Sequence, residues 1–573
     1  MKNLVRPEFK EIYEKSADSL PKGRYTCAQK VIDYVPMRDG VKLSTAIYFP
    51  DKGTSWPVLF TRNPYPHNKS LLEAVYLPLV EHGFCLVIQD CRGTGDSEGK
   101  WEPFINERND GIDSLNWLAK QKWLDGKIGT FGRSYSGFTQ WIVGDSLPKE
   151  VKTMFVEVYG VDRYSQVYMN GMFREDIYTS WAFANSGIKS DLSSADLYQK
   201  ALGIKPADQR DKKLLGTTLP FYQQYIKEVS QDSSYWKDSI WQILKEIPGK
   251  IDIPIVITGG WADHHLDGTI LGFEQLNTKT KEKSKLIIGP WDHIGCTTGD
   301  FDYPNNSKLG FMNICAHLEW FNHLLKGEAD RLKSEVYVIR QQKWQEVKEW
   351  PPEARQTQYF LNPDFSLAPT PNPAGSVSFE YDPRNPLITN GGSALLAWVS
   401  PGFTDLPHGV SKQMDYEDRQ DVLIFKTIPL DKPLTIMGKM VFKLLVSSSA
   451  EDTAFTVKVS EQLLSGETYN IADGISSISY RNNSTTPLDY QNGEKVELEI
   501  NCWDVAWQCQ VGSRIRIDIS SSNFPMYHVH SNTKGPWSEK EESDVMAIQT
   551  LYCGQAGCRV IIPFVEDITR MDV

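Results

Sequence analysis

The segment Gly129-Thr-Phe-Gly-Arg-Ser-Tyr-Ser-Gly-Phe-Thr-Gln-Trp141 holds the residues best suited to covalent chemistry. An apolar, strand-like run leads into a Gly-x-Ser turn and then into a helical stretch, which is the context of a nucleophile elbow. Such a turn holds its serine in strained backbone geometry, and small neighbours let strand and helix approach closely. The hydroxyl then projects at a helix N-terminus, where free N–H groups and the helix dipole favour an oxyanion. Two serines compete. Ser134 has Gly132 two residues before it, whereas Ser136 has Ser134 there, so Ser134 fits better. The usual pattern has Gly two residues after the nucleophile; here that place is Ser136, and Gly137 comes one later.

An alcohol is a weak nucleophile. It needs a base, and the base needs an orienting acid. In this strand–turn–helix context the chain order is Ser, then Asp or Glu, then His, each after a later strand. Ile255-Val-Ile-Thr-Gly-Gly-Trp-Ala-Asp263 supplies a carboxylate past one apolar run, and Leu286-Ile-Ile-Gly-Pro-Trp-Asp-His293 supplies an imidazole past the next. Loops at strand C-termini are where such sheets place ligands. Asp267 is a rival orienting acid and Asp292 a weaker one. Asp263-His264-His265 hints at a metal site, but adjacent histidines rarely aim at one ion, so no metal and no organic cofactor is expected. The Asp90–Gly99 stretch has glycines but not the spacing of a Walker loop, and it reads as a structural turn beneath the site.

The elements that must carry these residues are legible in outline. Asp39-Gly40 between the alternating runs 31–37 and 41–49 marks a hairpin. Apolar runs at 57–61, 84–88, 127–131 and 154–158 alternate with helix-like stretches such as 71–82 and 111–119, which implies a parallel sheet covered on both faces. From 163 to 250 the chain is rich in Tyr, Trp, Lys, Asp and Ser, with helical periodicity. Strand character returns at 251–258 and 285–289, and a helix is expected over 311–325. After Ser334 the texture is all-β, with alternating runs at 336–340, 441–446, 454–459, 495–501, 514–519 and 560–563. The expected class is therefore α/β. Residues 1–162 and 251–333 form a discontinuous α/β core, 163–250 an inserted helical unit, and 334–573 a β-sandwich or jelly roll.

The chain has 573 residues and a net charge of −12, enough for several cores and acidic enough to argue against nucleic-acid binding. No run of eighteen apolar residues suggests a membrane span, and Met1 to Leu20 lacks the apolar stretch of a secretory signal. The nine cysteines are scattered, odd in number and without CxxC spacing. That reads as reduced thiols in a cytoplasmic protein rather than a disulfide framework or a zinc site.

The chain resembles the cocaine-esterase and X-Pro dipeptidyl-peptidase family of α/β-hydrolase serine hydrolases (CocE/NonD type). The resemblance rests on Arg62-Asn-Pro-Tyr65, Gln89-Asp-Cys-Arg-Gly93, Gly132-Arg-Ser-Tyr-Ser-Gly137, Gly260-Trp-Ala-Asp263 and Gly289-Pro-Trp-Asp-His293. In the β-rich part, Tyr469-Asn-Ile-Ala-Asp-Gly474 and Ile519-Ser-Ser-Ser-Asn-Phe-Pro525 extend it, and the helical insertion matches least. The resemblance implies an α/β-hydrolase core, a helical cap and a C-terminal jelly roll, with the active site where the three meet. It implies Ser134 as nucleophile, His293 as general base, Asp263 as orienting acid, and an oxyanion hole from the Tyr65 phenol and the Tyr135 backbone N–H. Trp261, His264 and His265 are candidates for lining the substrate site.

The reading is a serine hydrolase acting on a small-molecule ester, amide or short peptide. Esterase action comes first. X-Pro dipeptidyl-peptidase or acylaminopeptidase action follows, with Glu175 or Asp176 as an anchor for a substrate amine. Acyl transfer to an amine comes third. A different class, a non-catalytic carbohydrate-binding protein on a jelly roll, is the remaining alternative. The expected partners are the substrate and a second copy in a homo-oligomer, with no nucleic acid and no membrane.

Overall fold

The computed structural model describes residues 20–66, 69–297, 299–306, 314–394, 407–416, 418–541 and 544–565. The strands of the first half are β1 (Cys27–Pro36), β2 (Lys42–Pro50), β3 (Trp56–Asn63), β4 (Cys85–Asp90), β5 (Leu124–Arg133) and β6 (Val151–Glu157). A two-residue pair, β7 (Tyr168–Met169) and β8 (Met172–Phe173), follows. Then come β9 (Ile255–Ala262), β10 (Lys285–Asp292), β11 (Glu335–Val338) and β12 (Lys343–Glu346). Among the described residues, ten of these form one sheet in the order β1-β2-β4-β3-β5-β6-β9-β10-β11-β12. The run from β4 to β11 is parallel, and antiparallel pairs flank it at both edges.

Alternate residues of the parallel strands go to opposite faces, and both faces are buried. Val58, Met154, Ile255 and Ile288 join one core with Leu115 and Leu118, Phe138 and Trp141, and Ile270 and Phe273, from three different helices. Leu59, Phe155, Val256 and Ile287 join a second core with Tyr76, Leu79, Trp320 and Phe321. Continuous apolar runs are the consequence of this two-sided burial. Between β6 and β9 the chain is mainly helical, including Arg163–Val167, Glu175–Ala184, Ser194–Leu202, Arg210–Leu215, Pro220–Lys227 and Ile240–Glu246. Its apolar side chains Tyr178, Tyr225 and Trp241 merge with the first core, so it sits on the face of the sheet that carries that core.

Residues after β12 build two antiparallel sheets. A four-stranded sheet has the order Leu423–Lys426, Arg514–Ser520, Ala454–Gln462, Thr468–Ser477. The other is nine-stranded among the described residues and is centred on Val441–Ser448 and Arg559–Val565. Leu444 and Ile562 from one sheet meet Val457 and Ile517 from the other in a third core. Together the layers are an α/β-hydrolase core and a β-sandwich.

Several expected elements differ. The helix expected over 71–82 is two helices, Lys69–Tyr76 and Pro78–Glu81, because Pro78 has no N–H to continue the first. The strand expected from Ile251 begins only at Ile255, after Pro254. The helix expected over 311–325 is described over Cys315–Lys326; residues 311–313 lie outside the described set. The run at 336–340, expected in the β-sandwich, is β11, which pairs in parallel with β10 and extends the first sheet. Among the described residues, no helix is long and apolar enough to cross a membrane.

Candidate active site

The sheet order reverses at β3 and β5, which are neighbours although β4 lies between them in sequence. A crevice forms beyond the C-terminal ends of strands at such a point. Tyr65 follows the end of β3, and Ser134 follows the end of β5 directly. Asp263 and His293 each follow the last residue of β9 and β10, and those last residues, Ala262 and Asp292, are paired in register. The topology therefore delivers all four side chains to one edge.

Ser134 has φ 52° and ψ −128°, a conformation that L residues rarely adopt. Its N–H donates to the Glu157 carbonyl of β6 at 3.0 Å, and its carbonyl opens the helix Tyr135–Trp141 by accepting from Phe138 N at 3.1 Å. Close approach requires Gly132: a Cβ there would lie 2.6 Å from Ser136 Cβ. On the histidine side, β10 bulges between Gly289 and Asp292, and Trp291 folds over Gly289, where a Cβ would meet its ring at 2.3 Å. The Arg133 guanidinium donates to the His293 carbonyl at 2.7 Å and ties the two loops together.

The three side chains form one hydrogen-bonded chain. His293 Nδ1 lies 2.8 Å from Asp263 Oδ1, and His293 Nε2 lies 2.9 Å from Ser134 Oγ. A carboxylate on Nδ1 fixes the proton there and leaves Nε2 as acceptor for the serine hydroxyl. Asp263 is fully buried and also accepts from His265 N–H at 3.1 Å. The rival candidates are engaged elsewhere. Ser136 Oγ donates to the Arg62 carbonyl, Asp267 pairs with Lys439, and Asp292 accepts from the N–H groups of Ile294 and Cys296.

Tyr65 is set opposite. The Trp181 indole N–H donates to its phenol oxygen at 3.2 Å, which leaves the phenol hydrogen for another acceptor, and Ser134 is within its reach. Burial pushes the Tyr65 phenol up to about 12, so it stays a donor across the neutral range. Among the described residues, the Tyr135 N–H has no backbone acceptor, as expected at a first helical position. The Tyr135 ring is anchored from beneath: its hydroxyl accepts from Phe104 N–H at 2.6 Å and donates to Glu107, which pairs with the buried Arg62 at 2.6 Å. The Asp90–Gly99 turn lies in this supporting layer, where Asp90 pairs with Lys69 and Arg92 with Asp110.

Ser134 and His293 open into a cavity. Tyr65, Phe104, Tyr135, Tyr159, Tyr178 and Trp181 give it an aromatic wall, and Ile177, Arg163, His264 and His265 complete it. His264 and His265 thus line it, and burial first, then the neighbouring imidazoles and Arg163, hold both well below the usual histidine range, hence neutral. Contrary to the expectation for adjacent histidines, their rings converge, and with His293 they offer nitrogens within 4.8 Å of one another. A cation bound there would draw His293 out of its hydrogen-bonded chain.

Three expected substrate residues are corrected. Trp261 does not line the cavity; its indole donates to the Tyr337 carbonyl at 2.7 Å and its ring packs on Trp350. Glu175 and Asp176 are buried ion pairs, with Arg210 at 2.8 Å and Arg174 at 3.0 Å. A carboxylate committed to a buried arginine is not available to a substrate amine. None of the described residues after 334 lines the cavity, and its described wall comes from the α/β core and the helical insertion. Phe104, Tyr159, Arg163, Ile177, Tyr178 and Trp181 escaped the sequence reading. Only Tyr159 and Arg163 had a signal, as they follow the C-terminal end of β6.

Comparison with known proteins agrees with this architecture. Residues 39–295 match the family model of the X-Pro dipeptidyl-peptidase (S15 family), and residues 329–559 match that of the X-Pro dipeptidyl-peptidase C-terminal non-catalytic domain. A cocaine esterase of Rhodococcus sp. is 29% identical, over 95% of this chain and 99% of its own. An aminopeptidase from the marine sediment archaeon Thaumarchaeota archaeon shares the fold, with a TM-score of 0.82 at 21% identity, covering 96% of this chain and 98% of that one. An α-amino acid ester hydrolase does so with 0.81 at 22%, covering 95% and 97%. A serine hydrolase sheet and its β-sandwich, each matched in its own stretch of sequence, leave one conclusion: the chain belongs to the X-Pro dipeptidyl-peptidase and cocaine-esterase family of serine hydrolases.

Proposed function

We propose that this serine hydrolase cleaves an ester of a small-molecule acid through an acyl-enzyme on Ser134. His293 Nε2 takes the hydroxyl proton as Ser134 Oγ attacks the carbonyl carbon, and Asp263 stabilises the imidazolium. The oxygen of the tetrahedral intermediate accepts from the Tyr65 phenol and the Tyr135 N–H. The C–O bond to the leaving group then breaks, and the alcohol departs with the proton from His293. Water repeats the sequence on the acyl-enzyme and regenerates Ser134.

The observation that carries this reading is the unbroken chain Asp263–His293–Ser134, at 2.8 and 2.9 Å. Turnover by Ser134→Ala is the test: a loss of about 10⁴-fold or more with unchanged melting temperature is expected. Near-wild-type activity would contradict it.

The family also acts on X-Pro peptides. Ester hydrolysis is favoured here over dipeptide release because no described residue lining the cavity bears a carboxylate for a substrate amine, while Arg163 bears a positive charge. A free α-ammonium group finds no carboxylate among the described residues of that wall. The comparison of p-nitrophenyl esters with X-Pro-anilides measures this: faster ester cleavage is expected, and a preference for the anilides would reverse the order.

A further inference from the structure

Five arginines are buried among the described residues. Four of them face a carboxylate: Arg62 faces Glu107 at 2.6 Å, Arg174 faces Asp176 at 3.0 Å, Arg210 faces Glu175 at 2.8 Å, and Arg516 faces Asp518 at 2.6 Å. The fifth, Arg163, is 4% exposed and has none, and it is the one that lines the Ser134 cavity. Its Nη atoms donate to neutral oxygens only, those of Gln166 (3.1 Å), Tyr178 (3.4 Å) and Tyr225 (2.8 Å). The carboxylate of its neighbour Asp162 is taken by Lys245 at 2.9 Å.

Aromatic faces replace the missing anion in part. The guanidinium carbon lies 4.6 Å from the Tyr178 ring centroid and 4.9 Å from that of Phe104, both in the cavity wall. Ring quadrupoles attract a cation but do not accept its N–H bonds. Accordingly Arg163 Nε is buried without a hydrogen-bond partner, and so is the hydroxyl of Tyr159, another wall residue. Two unpaired buried donors around one uncompensated positive charge are costly unless a ligand accepts from them. Arg163 also borders a second cavity beside Asp162 and Lys245, but it shares the Ser134 cavity with Tyr159, and that shared wall points to part of the substrate as the ligand.

We propose that Arg163, with Tyr159, forms an anion-recognising subsite, and that the preferred substrates are esters carrying a carboxylate a short chain away from the scissile bond. The inference rests on the serine-hydrolase reading of the same cavity. Half-esters of short dicarboxylic acids put the carboxylate on the acyl side, and esters of hydroxybenzoic acids put it on the leaving side.

Both sources are tested with matched pairs. On the acyl side, mono-p-nitrophenyl glutarate is compared with p-nitrophenyl valerate; on the leaving side, 4-acetoxybenzoate is compared with its methyl ester. For wild type, one anionic member is expected to exceed its neutral partner at least tenfold in kcat/KM, and the pair that does so identifies the side. In Arg163→Gln that ratio is expected to fall to one or below, and Arg163→Lys, which keeps the charge, to retain part of it. Equal or lower rates for both anionic esters with the wild-type protein would overturn the subsite without any variant. Calorimetric titration of Ser134→Ala with glutarate and benzoate separates the two levels. Binding of either by this inactive variant, lost in Ser134→Ala/Arg163→Gln, supports the subsite whatever the covalent chemistry. No binding by the folded Ser134→Ala protein, alongside active wild type, overturns the subsite and leaves the hydrolase reading standing.

Discussion

At the scale of single residues, the reading depends on where protons sit. Asp263 is buried against His293, and in the proposed mechanism it holds the Nδ1–H tautomer and balances the imidazolium. Asp263→Asn presents an amide that can donate to Nδ1 and select the wrong tautomer. A fall in kcat of about 10³–10⁴ with little change in stability is expected, read by steady-state kinetics and thermal melting. Tyr65→Phe removes one donor of the proposed oxyanion hole and should cost about 10²–10³ in kcat. An unchanged rate would take Tyr65 out of the site. Because burial disfavours the phenolate and holds Tyr65 at about 12, it remains a donor as pH rises through the alkaline range. A kcat profile should therefore show no fall from this group below about pH 10.5. Such a fall in wild type, absent from Tyr65→Phe, would contradict the assignment.

The three residues of the proposed triad stand out in the sequence because each follows an apolar strand in a short, distinctive segment. The cavity wall does not. Phe104, Tyr178 and Trp181 stand in no motif and meet only when the helical insertion folds over the sheet. Glu175 and Asp176 looked like anchors because a sequence does not reveal that Arg210 and Arg174 close on them.

At the scale of elements, the strand–turn–helix around Ser134 is the most constrained feature. Gly132 has φ 149°, and any side chain there collides with the first turn of the helix. Gly132→Ala is expected to destabilise by about 1–3 kcal/mol and to misalign Ser134. The measurement is thermal melting beside the rate of fluorophosphonate labelling, and both should drop together. The pattern of continuous apolar runs identified the parallel sheet, since strands buried on two faces have no polar side to alternate. That rule does not single out β11, whose Val336, Tyr337 and Val338 are buried on both faces like the central strands. β11 is a short edge-proximal strand with one antiparallel neighbour, β12, so its run looks like sandwich sequence although it pairs with β10. Boundaries failed where proline intervenes, at Pro78 and Pro254.

At the scale of the whole molecule, the helical insertion is joined to the β-sandwich by buried polar contacts rather than by the active site. Arg174 pairs with Asp176 and donates to the Ser393 carbonyl at 3.0 Å, Phe173 N–H donates to His528 at 3.0 Å, and Asn170 donates to the Ile475 carbonyl at 3.2 Å. Arg174→Met leaves a carboxylate buried without its guanidinium and is expected to destabilise by about 3–5 kcal/mol, whereas Arg174→Met/Asp176→Leu should recover much of it. Denaturant unfolding of the two variants decides this. No sequence signal announced that contact, which spans more than two hundred residues of chain.

The claim from which all the chemistry follows is that Ser134 becomes covalently acylated. Intact-mass and peptide-mapping analysis after brief exposure to p-nitrophenyl acetate at low pH, where deacylation is slow, tests it most directly. A single added acetyl group on the peptide containing Ser134, absent from Ser134→Ala and strongly reduced in His293→Ala, is the expected result. An active enzyme that carries no adduct, or carries it on another residue, would contradict it.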